Sequence, residues 1–164
     1  MTVVPGQKGT AGVEEVPDPD ARDASLLVQG MALGVCGTDH EIAEGAYGTP
    51  PSGEERLIIG HESLGEVLEA PAGSGFAPGD LVAGIVRRPD PEPCPACAAG
   101  EWDMCRTDSF AERRRHWEQA AQALATADPG WLRGLITRRV PLTSWTEALD
   151  RHPEDIKVVV DLTA

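Results

Sequence analysis

Glycine and proline are concentrated in the first part of this chain. It contains 18 glycines and 14 prolines, and most of them precede Gly100. Because both residues interrupt helices and mark turns, this region is expected to form short strands joined by many turns. Residues 112–127, by contrast, are rich in Ala, Gln, Glu, Arg and Leu, which predicts a helix. The sequence therefore predicts a mainly β protein with α segments, of the α+β class.

Strand-like patterns occur at several places along the chain. Ser25–Val35 reads as a long strand that leads directly to Cys36, and Leu64–Ala70 alternates between apolar and polar faces. Leu57–Ile59 is a short apolar run between them. These short strands and their turns predict a small barrel-like domain. Ile156–Leu162 predicts a further, closing strand.

Composition limits the kinds of partner that this chain is expected to bind. Hydrophobic residues make up 41% of it, and no apolar run approaches the ~20 residues of a membrane span. The net charge of −13 argues against nucleic acid and membrane surfaces as partners. Residues 1–10 lack the apolar core of a secretory signal, which favours a cytoplasmic location. There, cysteines are expected to bind metal more often than to form disulfides.

Two short segments carry candidate ligands for a metal ion. Cys36 offers a thiolate, His61 a ring nitrogen and Glu62 a carboxylate, and three such groups can hold zinc with one position left open. Thr38 is placed to hydrogen-bond a substrate hydroxyl and relay its proton, and Thr38 or Asp39 is expected to cap a short helix over residues 39–45. The alternative is a buried free cysteine and an unrelated histidine. The glycines beside the ligands favour the metal site, because they let the backbone turn tightly.

A second group of cysteines lies in a proline-rich lobe at residues 89–105. Cys94 and Cys97 have the spacing of two ligands on one zinc ion, and Cys105 is a third. A proline occupies the position where a fourth ligand is expected, so Asp90, Glu92 or a water would have to complete the site, or the metal is lost. A redox dithiol is the competing interpretation of Cys94 and Cys97.

Taken together, these motifs resemble the medium-chain zinc-dependent alcohol dehydrogenases, in particular the glucose 1-dehydrogenase branch. The resemblance rests on Cys36-Gly37-Thr38-Asp39, Gly60-His61-Glu62, Pro78-Gly79-Asp80, Gly100-Glu101-Trp102-Asp103-Met104-Cys105 and Asp155-Ile156-Lys157-Val158-Val159-Val160-Asp161. It implies that residues 1–107 form a GroES-like, zinc-binding barrel that includes the cysteine lobe. Residues 108–164 would add C-terminal helices and a strand that complete the same domain.

The resemblance also implies a part that the sequence does not contain. The family places a nucleotide-binding domain between Arg106 and Phe110, on the order of 150 residues long. No strand, glycine-rich turn and helix of the Rossmann type is found in the chain. We therefore expect zinc as the cofactor of this chain, and no NAD(P) bound to this chain alone.

Three functions are compatible with these expectations. The first is a zinc-binding, glucose-dehydrogenase-like domain that, if active, carries out redox-neutral chemistry on a hydroxyl or carbonyl of a sugar-like small molecule. The second is a non-catalytic, minimised scaffold. The third is an NADP-dependent sugar or alcohol oxidoreductase that receives its nucleotide domain from another chain. A homo-oligomer is expected for the scaffold in particular, because surface that the missing domain would cover tends to be reburied.

Overall fold

The computed structural model describes residues 1–16, 25–50, 53–84, 94–99 and 114–164, and of Cys97 and residues 114–119 it describes the backbone only. The chain forms two compact units, one made of Met1–Gly84 with Ile136–Ala164 and the other of Ile85–Leu135. Asp90, Cys105 and the predicted junction near residue 107 lie outside the described residues. The domain boundary placed there stays a prediction.

The first unit is built around a five-stranded sheet. In chain order its elements are β1 (Thr2–Val3), β2 (Leu27–Val35), α1 (Gly37–Ala43), β3 (Leu57–Ile58), β4 (Glu62–Glu69), β5 (Leu81–Ala83), β6 (Ile136–Pro141), a 3₁₀ segment (Leu142–Leu149) and β7 (Lys157–Asp161). The strand order is β5-β4-β2-β7-β6, and β1 pairs separately with β3. The described pairings are antiparallel except for β6 with β7. Sheets with a few helices confirm the predicted α+β class.

The core of this unit is centred on β7. Val158, Val159 and Val160 follow one another and are all buried, as expected for a strand that is covered on both faces. The strand predicted at residues 156–162 is therefore an interior strand, placed between β2 and β6. A smaller cluster of Val3, Ile42 and Ile59 holds α1 against the β1–β3 pair.

A charged clamp fixes the start of β7. The guanidinium of Arg138 on β6 donates to Asp155 with an Nη2–Oδ2 distance of 2.6 Å, and also to the carbonyl oxygens of Glu147 and Asp150. The hydrogen bonds that Arg138 donates to Asp155 hold the pKa of that carboxyl below its usual range. The clamp joins β6, the 3₁₀ segment and the turn before β7.

The second unit contains the described helices α2 (Pro95–Ala98), α3 (Arg114–Thr126) and α4 (Pro129–Leu135). The helix predicted over residues 112–127 is confirmed where the structure describes it. The following helix was not predicted, although its signal is present in the sequence. Asp128 caps it, with an Oδ1 that accepts the Trp131 N–H at 2.7 Å, and Pro129 occupies the first helical position. Within the described parts of the chain, no helix combines the length and apolar character needed to cross a bilayer.

Candidate metal centre

Strand pairing brings Cys36 and His61 together. β2 and β4 are antiparallel neighbours, and Gly34 on β2 lies opposite Glu62 on β4. Cys36 follows the end of β2 and His61 precedes the start of β4, so both side chains lie at the same end of the pair. Their Sγ and Nε2 atoms are 3.2 Å apart. Gly60 has a φ of 108°, a left-handed conformation that favours glycine, at the turn into His61.

Asp39 is the third member of this cluster, and it was predicted only as a helix cap. The cap prediction is wrong in detail, because α1 begins at Gly37 and Cys36 occupies the N-cap position. Asp39 instead lies one turn inside, where its Oδ2 accepts the Cys36 N–H at 2.9 Å. Its side chain is 1% exposed, and its Oδ1 has no hydrogen-bond partner among the described residues. That oxygen is 3.6 Å from Nδ1 of His61.

These residues fit a zinc ion. Zinc bonds of ~2.3 Å to sulfur and ~2.0 Å to nitrogen would place the two donor atoms about 3.5 Å apart in a tetrahedral site, close to the observed 3.2 Å. Cys36, Asp39 and His61 each offer a ligand atom within 4.8 Å of the others. Since Nε2 of His61 faces the thiol, Nδ1 is left for the buried carboxylate of Asp39. A carboxylate that orients a metal-bound histidine in this way is a common outer partner of zinc sites.

The centre is open to solvent. The side chain of His61 is 36% exposed, and Cys36 is half-buried. If only these two side chains held a metal ion, such a partly exposed site would leave room for further donors. Thr38 lies in the first turn of α1, next to Asp39. Its proposed part in proton relay stays a prediction.

Glu62 has a different neighbour from the one that the sequence suggested. Its Oε2 and Oε1 lie 2.7 and 3.0 Å from Nζ of Lys157, which also donates to the Val35 carbonyl at 3.3 Å. Glu62 is not in the group of mutually close ligand atoms that holds Cys36 and His61. Its assignment as a direct metal ligand stays a prediction, and Lys157 was not recognised from the sequence.

The second cysteine cluster is described only in part. Cys94 is half-buried and its carbonyl accepts the Ala98 N–H at 2.9 Å, which makes it the residue just before α2. Cys97 lies within α2, so the two backbones are one helical turn apart. Asp90 and Cys105 are outside the described residues. A structural zinc at this place stays a prediction.

Replacing Asp39 by asparagine should weaken zinc binding at the Cys36 centre by about 10- to 100-fold, the usual cost of losing an outer partner. Asparagine has nearly the same shape as aspartate, but it lacks the negative charge that Asp39 places near Nδ1 of His61. Competition with a chromophoric chelator measures the affinity. Asp80→Asn is the matched control, because Asp80 also accepts a backbone N–H three residues away, from Ala77 at 2.8 Å, in an exposed turn. Equal affinities of the two variants would contradict this role for Asp39.

Comparisons with known families place these residues in a wider context. The family described as "Alcohol dehydrogenase GroES-like domain" matches residues 22–131, and "Glucose dehydrogenase C-terminus" matches residues 107–162. A glucose 1-dehydrogenase from Methanocella arvoryzae is 44% identical over 112 residues, which are 68% of this chain and 31% of that protein. Glucose 1-dehydrogenase 1 from Vulcanisaeta moutnovskia is 40% identical over 113 residues, again 68% and 31%.

This chain is also similar to solved structures of a glucose dehydrogenase. The glucose dehydrogenase of Haloferax mediterranei in complex with NADP, Zn and gluconolactone has a TM-score of 0.54 and 33% identity, over 68% of this chain and 31% of that chain. A mutant form of the same dehydrogenase has a TM-score of 0.54 over 90% of this chain and 51% of that chain, at 23% identity, a likeness of fold alone. The chain matches about 31% of the length of the curated relatives named above.

Proposed function

This chain belongs to the alcohol dehydrogenase GroES-like domain family, in its glucose dehydrogenase branch, and we propose that it is a zinc-binding catalytic domain for a hydroxyl or carbonyl of a sugar-like substrate. The observation that carries the proposal is the pair Cys36 Sγ and His61 Nε2, 3.2 Å apart on a half-exposed site. A zinc ion held there supplies a Lewis acid that polarises a bound oxygen.

The residues around the centre have separate tasks in this proposal. Cys36 and His61 hold the metal, and Asp39 orients the imidazole through its Nδ1 side while it caps the backbone of Cys36. Thr38 receives and passes on the proton of the substrate hydroxyl. The substrate would reach the metal from the solvent-exposed side of His61. This access is required, because a Lewis acid acts only on an oxygen that binds to it.

We further propose that this chain by itself performs redox-neutral chemistry. Hydride transfer requires a nicotinamide cofactor as acceptor, and the sequence has no G-x-G-x-x-G string of the kind that binds dinucleotides in Rossmann folds. Lactone hydrolysis is a suitable probe reaction, because it needs only water and releases one acid per ring opened. A cytoplasmic location and self-association are part of the same proposal.

The test is binding and turnover by the zinc-loaded chain. Calorimetry with glucose and with gluconolactone should show binding to the zinc-loaded protein that a chelator abolishes and added zinc restores. Acid release from gluconolactone, followed at constant pH, should show the same chelator sensitivity. Identical results for zinc-loaded and metal-free protein would overturn the proposal. Formation of NADPH by this chain alone, with glucose and NADP, would overturn its redox-neutral part.

A further inference from the structure

The ion pair between Glu62 and Lys157 spans a strand that lies between them. Glu62 on β4 is opposite Gly34 on β2, and Gly34 is opposite Val159 on β7. Lys157 is two residues before Val159, so its side chain leaves the sheet on the same face as that of Glu62. β4 and β7 are two strand spacings apart, about 9.5 Å. The two long side chains therefore meet above β2.

Gly34 is the residue that makes this meeting feasible. A Cβ added there would lie 2.3 Å from Oε2 of Glu62 and 3.1 Å from its Cβ. The carboxylate thus occupies the space that any other side chain on β2 would fill. The Lys157 side chain has a second contact with β2, because its Nζ also donates to the Val35 carbonyl at 3.3 Å.

The ion pair contributes little to folding. The side chains of Lys157 and Glu62 are 30% and 40% exposed, and half-exposed ion pairs add little stability. The position of the ion pair suggests a role at the metal centre instead. Glu62 directly follows His61, and a carboxylate oxygen is a possible zinc ligand. Both oxygens of Glu62 are instead directed to Lys157.

We propose that Lys157 is a positioning residue that keeps the Glu62 carboxylate out of the ligand set of the metal, so that the centre stays open for substrate. The inference rests on the metal centre of the proposed function. In this inference the Glu62 carboxylate lies outside the metal ligands for two reasons. The positive charge of Lys157 attracts it, and the absence of a side chain at Gly34 leaves it room. Loss of the lysine charge releases the carboxylate toward the metal.

The experiment uses cobalt(II) on the full chain. The visible absorption of cobalt falls as its number of ligands rises, and its thiolate charge-transfer band reports Cys36. In Lys157→Met we expect weaker visible bands, a retained thiolate band and tighter cobalt binding, because a carboxylate oxygen joins the ligands. Lys157→Arg should resemble the wild type, and the double variant Lys157→Met, Glu62→Gln should return to the wild-type spectrum.

Two controls keep the outcomes distinct. Lys8→Met removes the lysine of an exposed pair with Glu44 and should change nothing. Gly34→Ala tests the inference without touching the lysine, because the new methyl group displaces the carboxylate, and it should shift the spectrum as Lys157→Met does. A wild-type spectrum in both Lys157→Met and Gly34→Ala would overturn the inference alone. Absence of the thiolate band in the wild type would overturn the metal centre and the inference with it.

Discussion

Replacing Cys36 by alanine should lower the zinc affinity of the centre by more than about 100-fold, since even an outer partner is worth about 10- to 100-fold. The thiolate is the softest donor of the cluster, and its Sγ lies 3.2 Å from Nε2 of His61 with no other cysteine in the described group. Elemental analysis of protein purified without added metal should show a loss of about one zinc per chain. His61→Ala should have the same effect.

His152→Ala is the matched control for this result. His152 has a 46% exposed side chain, and its Nδ1 lies 3.7 Å from the carboxylate of Glu154. It forms no part of the metal-ligand cluster within the described residues, so zinc content should not change. Unaltered zinc content and affinity in Cys36→Ala would contradict the assignment of the centre and would leave the proposed function without its metal.

Replacing Val160 by alanine should lower the free energy of unfolding by about 2–3 kcal/mol, the sum of two lost methyl groups and the cavity that they leave. Val160 is fully buried, and it lies between Leu33 on β2 and Val140 on β6. It therefore stabilises both neighbours of the strand that begins with Lys157. The midpoint of urea denaturation should fall while the slope stays unchanged.

Val13→Ala provides the comparison for the same change of side chain. Val13 is 47% exposed, so it loses little buried area and should cost less than about 0.5 kcal/mol. If Val160→Ala were no more destabilising than Val13→Ala, β7 would not be the centre of the core. The zinc affinity of Val160→Ala, measured well below its unfolding midpoint, should match that of the wild type, because Val160 is not one of the metal donors.

Local sequence patterns were enough to single out Cys36 and His61, two of the three residues that the structure brings together as a possible metal-binding group. Cys36 and His61 each lie next to a glycine. In the sequence Cys36 follows one strand-like run and His61 precedes another, and the structure shows these runs as β2 and β4, which pair so that the two residues lie at the same end. The helix at residues 114–126 was equally readable, since intrinsic propensity acts within a few residues. The helix after Asp128 was missed although its capping signal was local.

The roles of Asp39 and Lys157 depended on tertiary structure. From the sequence Asp39 was predicted as a helix cap. Its burial, and the position of its Oδ1 near His61 without a hydrogen-bond partner among the described residues, are visible only in the structure. Lys157 has no local signal, because it reaches Glu62 through two strand pairings that join distant parts of the chain. Sequence periodicity reports which face of a strand is apolar, but not which strands become neighbours. That choice is made by the packing of the whole core, and here it places a lysine beside the carboxylate that the sequence alone assigned to the metal.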